Sequence, residues 1–325
     1  MTVMRKSKFI IKNSHYLDIN ENKIFLTLFV LFLVFLIFKG IPVTSWGPGA
    51  NYKNYSVRST VNVTNAYPEI INISCNSGQS VVLTAGTTKT INCTVKIRDY
   101  NGWDDVNYVN STFYYYLNAS SDPDDNNVHY TNTSCSQTSN DGQYMVNWTC
   151  SFDAWYYANN GTWRVNATVN DSYATKDNDY NNASISALLA LNVTSLIDFG
   201  NLAVTETSPS AIQANVTNLG NMPMNVSVYG YGGNSEVAGA GYAMLCEVRN
   251  ITISNERYDL NSATSYDSMT PLTVSYVPIL GIKIIKQTQP GVYMINSTYW
   301  RLHVNLTNNP FGICNGTVVF SAENP

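Results

Sequence analysis

The chain has 325 residues, of which 44% are hydrophobic and only 12% charged; 18 basic and 22 acidic side chains leave a net charge of −4. A soluble domain ordinarily carries about 25% charged residues, and a nucleic-acid binder shows a basic surplus or stripe, so recognition of nucleic acid through charge is excluded. The wet surface must be built from Asn, Ser, Thr and the 23 tyrosines, and the length allows two domains of ~100–200 residues.

Residues 1–23 carry Arg5, Lys6, Lys8, Lys12 and Lys23 and precede the uncharged run Ile24–Phe38. As a helix this run rises ~22 Å, against a hydrocarbon core of ~30 Å. Snorkelling of Lys23 and Lys39, and continuation through Ile41, Pro42 and Val43, extend its reach. The segment 24–43 therefore reads as a transmembrane helix in contact with membrane lipid, with basic residues 1–23 on the cytoplasmic side and the remaining chain outside. A cleavable signal peptide ending near Val43-Thr44-Ser45 predicts the same export, as a secreted chain. Residues 44–60, rich in Gly, Pro and Asn, read as a linker.

Beyond residue 60 the apolar pattern has period two. Val61–Thr64, Ile71–Ser74, Ile91–Ile97 and Trp163–Val169 alternate apolar and polar residues. In the last of these, Trp163, Val165, Ala167 and Val169 share one face, while Arg164, Asn166, Thr168 and Asn170 share the other. One buried and one wet face is the pattern of an antiparallel sheet in a sandwich. No long stretch shows a helical period. The expected fold is all-β: two tandem antiparallel β-sandwiches, residues 61–183 and 184–325, behind one N-terminal transmembrane helix. The Asp/Asn-rich segment Lys176–Asn182 reads as a loop at the boundary, followed by an apolar strand, Ile185–Val193.

Six cysteines, all beyond the apolar run, imply disulfides in an oxidising compartment. The sequential pairing Cys75–Cys93, Cys135–Cys150 and Cys246–Cys314 is expected, with Cys93–Cys150, spaced like an immunoglobulin inter-sheet bridge, as the rival. No spacing fits zinc. Asn-x-Ser/Thr occurs nineteen times after the apolar run. Candidate glycan acceptors are Asn62, Asn92, Asn110, Asn147, Asn166, Asn192, Asn225, Asn250, Asn305 and Asn315. In a strand, the Asn and Thr of such a triplet share the wet face and the middle residue faces inward.

Two family resemblances rest on short motifs. The first half has Thr84-Ala-Gly-Thr-Thr before the strand Lys89–Arg98, then Asp99-Tyr-Asn-Gly-Trp-Asp-Asp, then Ala158-Asn-Asn-Gly-Thr-Trp163 before a strand ending in Val169-Asn-Asp171. It resembles Ig-like domains of archaeal cell-surface proteins and is similar to polycystin-type repeats. The second half has Ile197-Asp-Phe-Gly-Asn-Leu-Ala-Val204, Ala214-Asn-Val-Thr-Asn-Leu-Gly-Asn221 and Met224-Asn-Val-Ser-Val228, which resembles the Hydin-type Ig-like sandwich. Thr205 stands where that family usually has Gly. The resemblances imply Ig-like folds in adhesive or structural envelope modules and bring no catalytic residues.

If the strands Thr88–Arg98 and Trp163–Asn170 end at one pole, Asp99, Asn101, Asp104 and Asp105 meet Asp171, with Asp177 and Asp179 in the following loop. Several oxygens on adjacent loops suit Ca²⁺; turn chemistry alone is the competing account. Asp122-Pro-Asp-Asp125 reads as a solvated loop. His15, His129 and His303 are far apart in sequence, and no hydrolase motif accompanies them. Trp163 and Trp300 read as core. Trp103, between Gly102 and Asp104, is the candidate exposed ligand contact, and Tyr114–Tyr116 and Trp155–Tyr157 must each place a ring on the wet side. The functional expectation is a non-enzymatic, membrane-tethered extracellular protein for adhesion or surface structure, with other surface proteins or glycans as partners. The alternatives are a carbohydrate-binding module working through exposed aromatics and a secreted hydrolase of unrecognised type.

Overall fold

A computed structural model describes residues 55–174, 176–307 and 309–325. The expected membrane segment 24–43, the cytoplasmic residues 1–23 and His15 lie outside the described residues. Among the described residues no helix is long and apolar enough to cross a membrane. The chain divides into an N-terminal unit, Met1–Asn62, and a second unit, Val63–Pro325. Of the first, residues 55–62 are described and carry no strand.

The second unit is all-β. It begins with eight strands: β1 (Glu69–Cys75), β2 (Thr88–Arg98), β3 (Val106–Tyr115), β4 (His129–Asn132), β5 (Ser136–Asn140), β6 (Met145–Trp155), β7 (Gly161–Asp171) and β8 (Lys176–Ile185). They form two four-stranded antiparallel sheets, ordered β1-β2-β6-β5 and β4-β3-β7-β8. Alternation decides the inner faces. Ile91, Val95 and Ile97 of β2 meet Val165, Ala167 and Val169 of β7 in one core. At its centre Phe113 stacks on Trp163 at 4.7 Å between ring centroids, with Phe152 beyond at 5.6 Å. Burying such rings supplies ~2–3 kcal/mol each.

Ten further strands follow: β9 (Leu191–Val193), β10 (Ile212–Asn218), β11 (Met224–Gly232), β12 (Tyr242–Val248), β13 (Asn250–Thr252), β14 (Glu256–Asp259), β15 (Thr270–Pro271), β16 (Val277–Ile284), β17 (Ile295–Leu302) and β18 (Phe311–Glu323). They build two five-stranded antiparallel sheets, β15-β14-β17-β10-β9 and β13-β12-β18-β11-β16. Val216, Val226, Tyr258, Ile282 and Trp300 share their core.

The disulfides are Cys75–Cys93, Cys135–Cys150 and Cys246–Cys314. The rival Cys93–Cys150 does not form: these two face each other across β2 and β6 in one sheet, and each bonds instead to its other neighbour.

Three strand expectations are corrected. Val61–Thr64 alternates but has no partner strand among the described residues, so it stays outside the four sheets. Lys176–Asn182 is not a loop: it is most of β8, paired with β7 along its length. An edge strand needs one hydrogen-bonded neighbour and tolerates polar residues on both faces, which overrides the low strand propensity of Asn and Asp. Consequently the expected apolar strand Ile185–Val193 is divided: Ile185 closes β8, and Leu191–Val193 forms a separate short strand. The motif segment Ile197–Val204 is not part of a ladder; its apolar side chains pack against the second sandwich.

The link between the sandwiches is held by the turn after β10. Buried Asn218 donates from Nδ2 to the carbonyls of Met222 and Ile284 at 2.8 and 3.1 Å. Buried Asn221 accepts from Leu188 N at 2.7 Å and donates to Ser186 O at 3.0 Å. Gly220 between them is required by space, since a Cβ would lie 2.2 Å from Leu188 O.

Candidate functional site

β2 and β7 belong to different sheets, yet both end at one pole of the first sandwich. Asp99 directly follows β2, Asp171 closes β7, and Asp105 ends the 3-10 turn Trp103–Asp105 that leads into β3. One carboxylate oxygen from each of Asp99, Asp105 and Asp171 lies within 4.8 Å of the others. Asp99 and Asp171 are buried and Asp105 is half-buried. The backbone holds them there. Asp99 Oδ1 accepts from Asn101 N at 2.8 Å, Asp171 Oδ1 accepts from Tyr173 N at 3.0 Å, and Ser172 N donates to Asp105 O at 2.9 Å. Asn65 donates to Asp171 Oδ2 at 2.5 Å, fastening the incoming chain to the same pole. Gly102, at φ +135°, lets the loop turn where a Cβ would sit 2.6 Å from Asp104 Oδ1.

The electrostatics oppose this arrangement. Two ionised carboxylates 4.8 Å apart repel by ~3.5 kcal/mol at an effective dielectric of 20. Burial pushes the Asp99 carboxyl above its ordinary range, the Asn101 amide opposes this, and Asp105 and Asp171 add to the rise. The remaining expected ligands stand apart. Asn101 is exposed and its Oδ1 accepts from Ala66 N at 2.6 Å. Asp104 is exposed and outside the cluster. Asp177 and Asp179 sit on β8 rather than in a loop, and Asp177 accepts from Ile70 N at 2.8 Å.

Trp103 is not an exposed contact: it is half-buried and packs against the first core. Trp163 and Trp300 are fully buried. Tyr116 reaches solvent, but Tyr156 and Tyr157 do not, because the chain leaves β6 at Trp155 and turns them inward. The exposed rings near the acidic pole are Tyr100 and Tyr144, 6.0 Å apart, with the Arg98 guanidinium over Tyr100.

None of the ten candidate glycan acceptors is buried. For Asn92, Asn110, Asn147, Asn166, Asn225 and Asn250 the middle residue of the triplet is buried: Cys93, Ser111, Trp148, Ala167, Val226 and Ile251. Asn62, Asn192 and Asn315 are exposed, and Asn305 is half-buried. On the outer face of β3, β7 and β8 these groups interlock. Asn178 Nδ2 donates to Asn166 Oδ1 at 2.8 Å and Thr168 Oγ1 at 2.7 Å, beside a shallow polar groove of about 260 Å³.

The two described histidines serve separate local structures. Buried His129 lies 3.0 Å from Asp124 Oδ1, so Asp122–Asp125 is more than a solvated loop. His303 Nδ1 lies 2.9 Å from Thr207 Oγ1. Buried Glu256 and half-buried Lys286 escaped sequence reasoning, since each stands among other polar residues and nothing local marks it as buried. Glu256 of β14 faces a cavity of about 230 Å³ lined by Phe199, Met244 and Phe320, and burial pushes its carboxyl up to about 8. Lys286, after β16, crosses to the first sandwich, and burial pushes its amine down to about 8.

No protein family matches the chain, and no curated protein does. Among solved structures it is similar to a carbohydrate-binding module of the β-sandwich superfamily, at 10% identity and a TM-score of 0.24, over 79% of this chain and 97% of that one. It is also similar to Escherichia coli alpha-2-macroglobulin activated by porcine elastase, at 11% identity and a TM-score of 0.22, over 81% of this chain and 22% of that one. The C-terminal domain of the Streptococcus agalactiae AgI/II polypeptide BspA is similar at 8% identity and a TM-score of 0.19, over 79% and 96%.

Proposed function

We propose that the chain is a non-enzymatic, membrane-tethered protein of the cell envelope that presents two Ig-like sandwiches outside the membrane for adhesion or surface structure. The observation that carries this reading is the outer strand face. Six Asn-x-Ser/Thr triplets bury the residue between and leave the Asn exposed (Asn92) or half-buried on the outer face (Asn110, Asn147, Asn166, Asn225 and Asn250), so the positions that replace charge on this face are also candidate glycan acceptors. Three disulfides fit an oxidising compartment. The sheet orders β1-β2-β6-β5 and β4-β3-β7-β8 support the Ig-like reading, as does the motif resemblance to surface proteins of archaea.

The test is surface labelling of intact cells, with the intact mass measured before and after glycan removal. Labelled protein carrying several glycans on the triplets above is expected. Chain recovered in the cytosol with free thiols overturns the reading. A second reading, glycan recognition, is favoured by the exposed Tyr100–Tyr144 pair, because exposed rings stack on sugar faces. Binding on a glycan array that is lost in Tyr100→Ala and Tyr144→Ala supports it; binding unchanged in both variants removes it.

A further inference from the structure

We propose that Asp99, Asp105 and Asp171 form a binding site for a calcium-class divalent cation that ties the two sheets of the first sandwich together. The three carboxylates are brought within 4.8 Å from β2, from the turn before β3 and from β7, so an ion among them contacts both sheets. A second observation points to a ligand. Asp99 is fully buried, and its Oδ2 has no hydrogen-bond donor among the described residues, although Oδ1 is satisfied by Asn101 N. Asp105 Oδ2 is likewise buried without a donor. Neither residue forms an ion pair among the described residues. A buried carboxylate oxygen is ordinarily hydrogen-bonded, charge-paired or bound to metal, and the first two are missing for Asp99 Oδ2.

The donor set selects the ion. All three side chains offer hard oxygens, with no imidazole or thiolate among them, which suits Ca²⁺ over zinc or copper. Carboxylates can bind Ca²⁺ through one or both oxygens, and water completes its 6–8 ligands. The Asn65 amide on Asp171 Oδ2 extends the tie to the chain leading into β1. The proposal is independent of location, since a chain recovered in the cytosol would bind the ion equally well.

The test uses the full chain, purified in detergent and stripped with chelator. Terbium is titrated with excitation of tryptophan, Trp103 lying two residues from Asp105. Sensitised emission that Ca²⁺ displaces is expected, together with a melting midpoint raised by several degrees in millimolar Ca²⁺. Asp105→Asn and Asp99→Asn should weaken terbium binding at least tenfold and abolish the calcium response. Their chelated forms should melt at or above the chelated wild type, because each substitution relieves repulsion. Asp153→Asn, at an exposed carboxylate on β6, should behave as wild type. Absence of sensitised emission, or a calcium-induced shift of equal size in Asp105→Asn and wild type, overturns the proposal.

Discussion

Lys286 of the second sandwich donates from Nζ to the backbone carbonyl of Tyr157 in the first, at 2.7 Å. The same ammonium reaches Asn159 Oδ1 at 2.7 Å and Asn127 Oδ1 at 3.0 Å. Beside it, Tyr156 donates its hydroxyl to buried Gln287, and Asn127 donates to Thr288 O at 2.7 Å. These hydrogen bonds join the two sandwiches through one half-buried ammonium. Lys286→Met keeps the apolar stem and orphans three acceptors, which costs ~2–3 kcal/mol. The urea midpoint should fall and the 186–190 link should become protease-sensitive. A wild-type midpoint and digestion pattern would show that these bonds carry no load.

Glu256 sets a pH dependence of opposite sense to Lys286. Its folded value of about 8 lies above the ordinary 4.5, so the folded chain holds the extra proton between these values and stability falls as pH rises through that window. Lys286 sits at about 8 when folded against 10.5 ordinarily, so stability rises with pH from about 8 to 10.5. Glu256→Gln should abolish the first slope, with a gain of several kcal/mol by pH 9 at ~1.4 kcal/mol per pH unit. Thermal melts of both chains from pH 4 to 9 check this; parallel curves would refute it.

Gly220 and Asn221 should be the sensitive positions of the link. Gly220→Ala drives a Cβ to 2.2 Å from Leu188 O, and the backbone must move, at ~2–4 kcal/mol. Asn221→Ala leaves Leu188 N and Ser186 O without their side-chain partner, costing ~2 kcal/mol. The neighbouring exposed Leu196→Ala serves as control and should be near neutral. Melting midpoints give the ranking directly.

The disulfides should differ in worth according to the loops they close. Cys75→Ala with Cys93→Ala opens a separation of 18 residues, worth ~3 kcal/mol in the chain-entropy account. Cys246→Ala with Cys314→Ala opens a separation of 68 and should cost ~4 kcal/mol. Guanidinium midpoints of the two double variants measure the difference. The reverse order would mean that local packing around the buried Cys75–Cys93 pair outweighs loop entropy.

How much was legible follows from where the information lies. β2 and β7 could be read because each has one buried and one wet face, which writes itself as strict alternation. β8 could not, because an edge strand that is wet on both faces leaves no apolar stripe. Val61–Thr64 misled in the opposite sense: it carries the alternation, but among the described residues no neighbour pairs with it. For the acidic pole, placing Asp99 and Asp171 after strands that end together was enough to bring them and Asp105 into one cluster. The loop itself, turning at Gly102, decided that Asp104 points elsewhere. Glu256, Lys286, Asn218 and Asn221 left no trace in composition or period, since their roles depend on groups far along the chain.

The sequence by itself determined the all-β character, the wet faces of Asn and Thr, and an even number of cysteines, because period, composition and count are local properties of a chain. The tertiary structure alone decided which carboxylates crowd together, which amine crosses between the sandwiches and which strand closes a sheet. Those outcomes turn on contacts between residues tens to more than a hundred positions apart, and the free energy of burial and hydrogen bonding exists only once those residues have met.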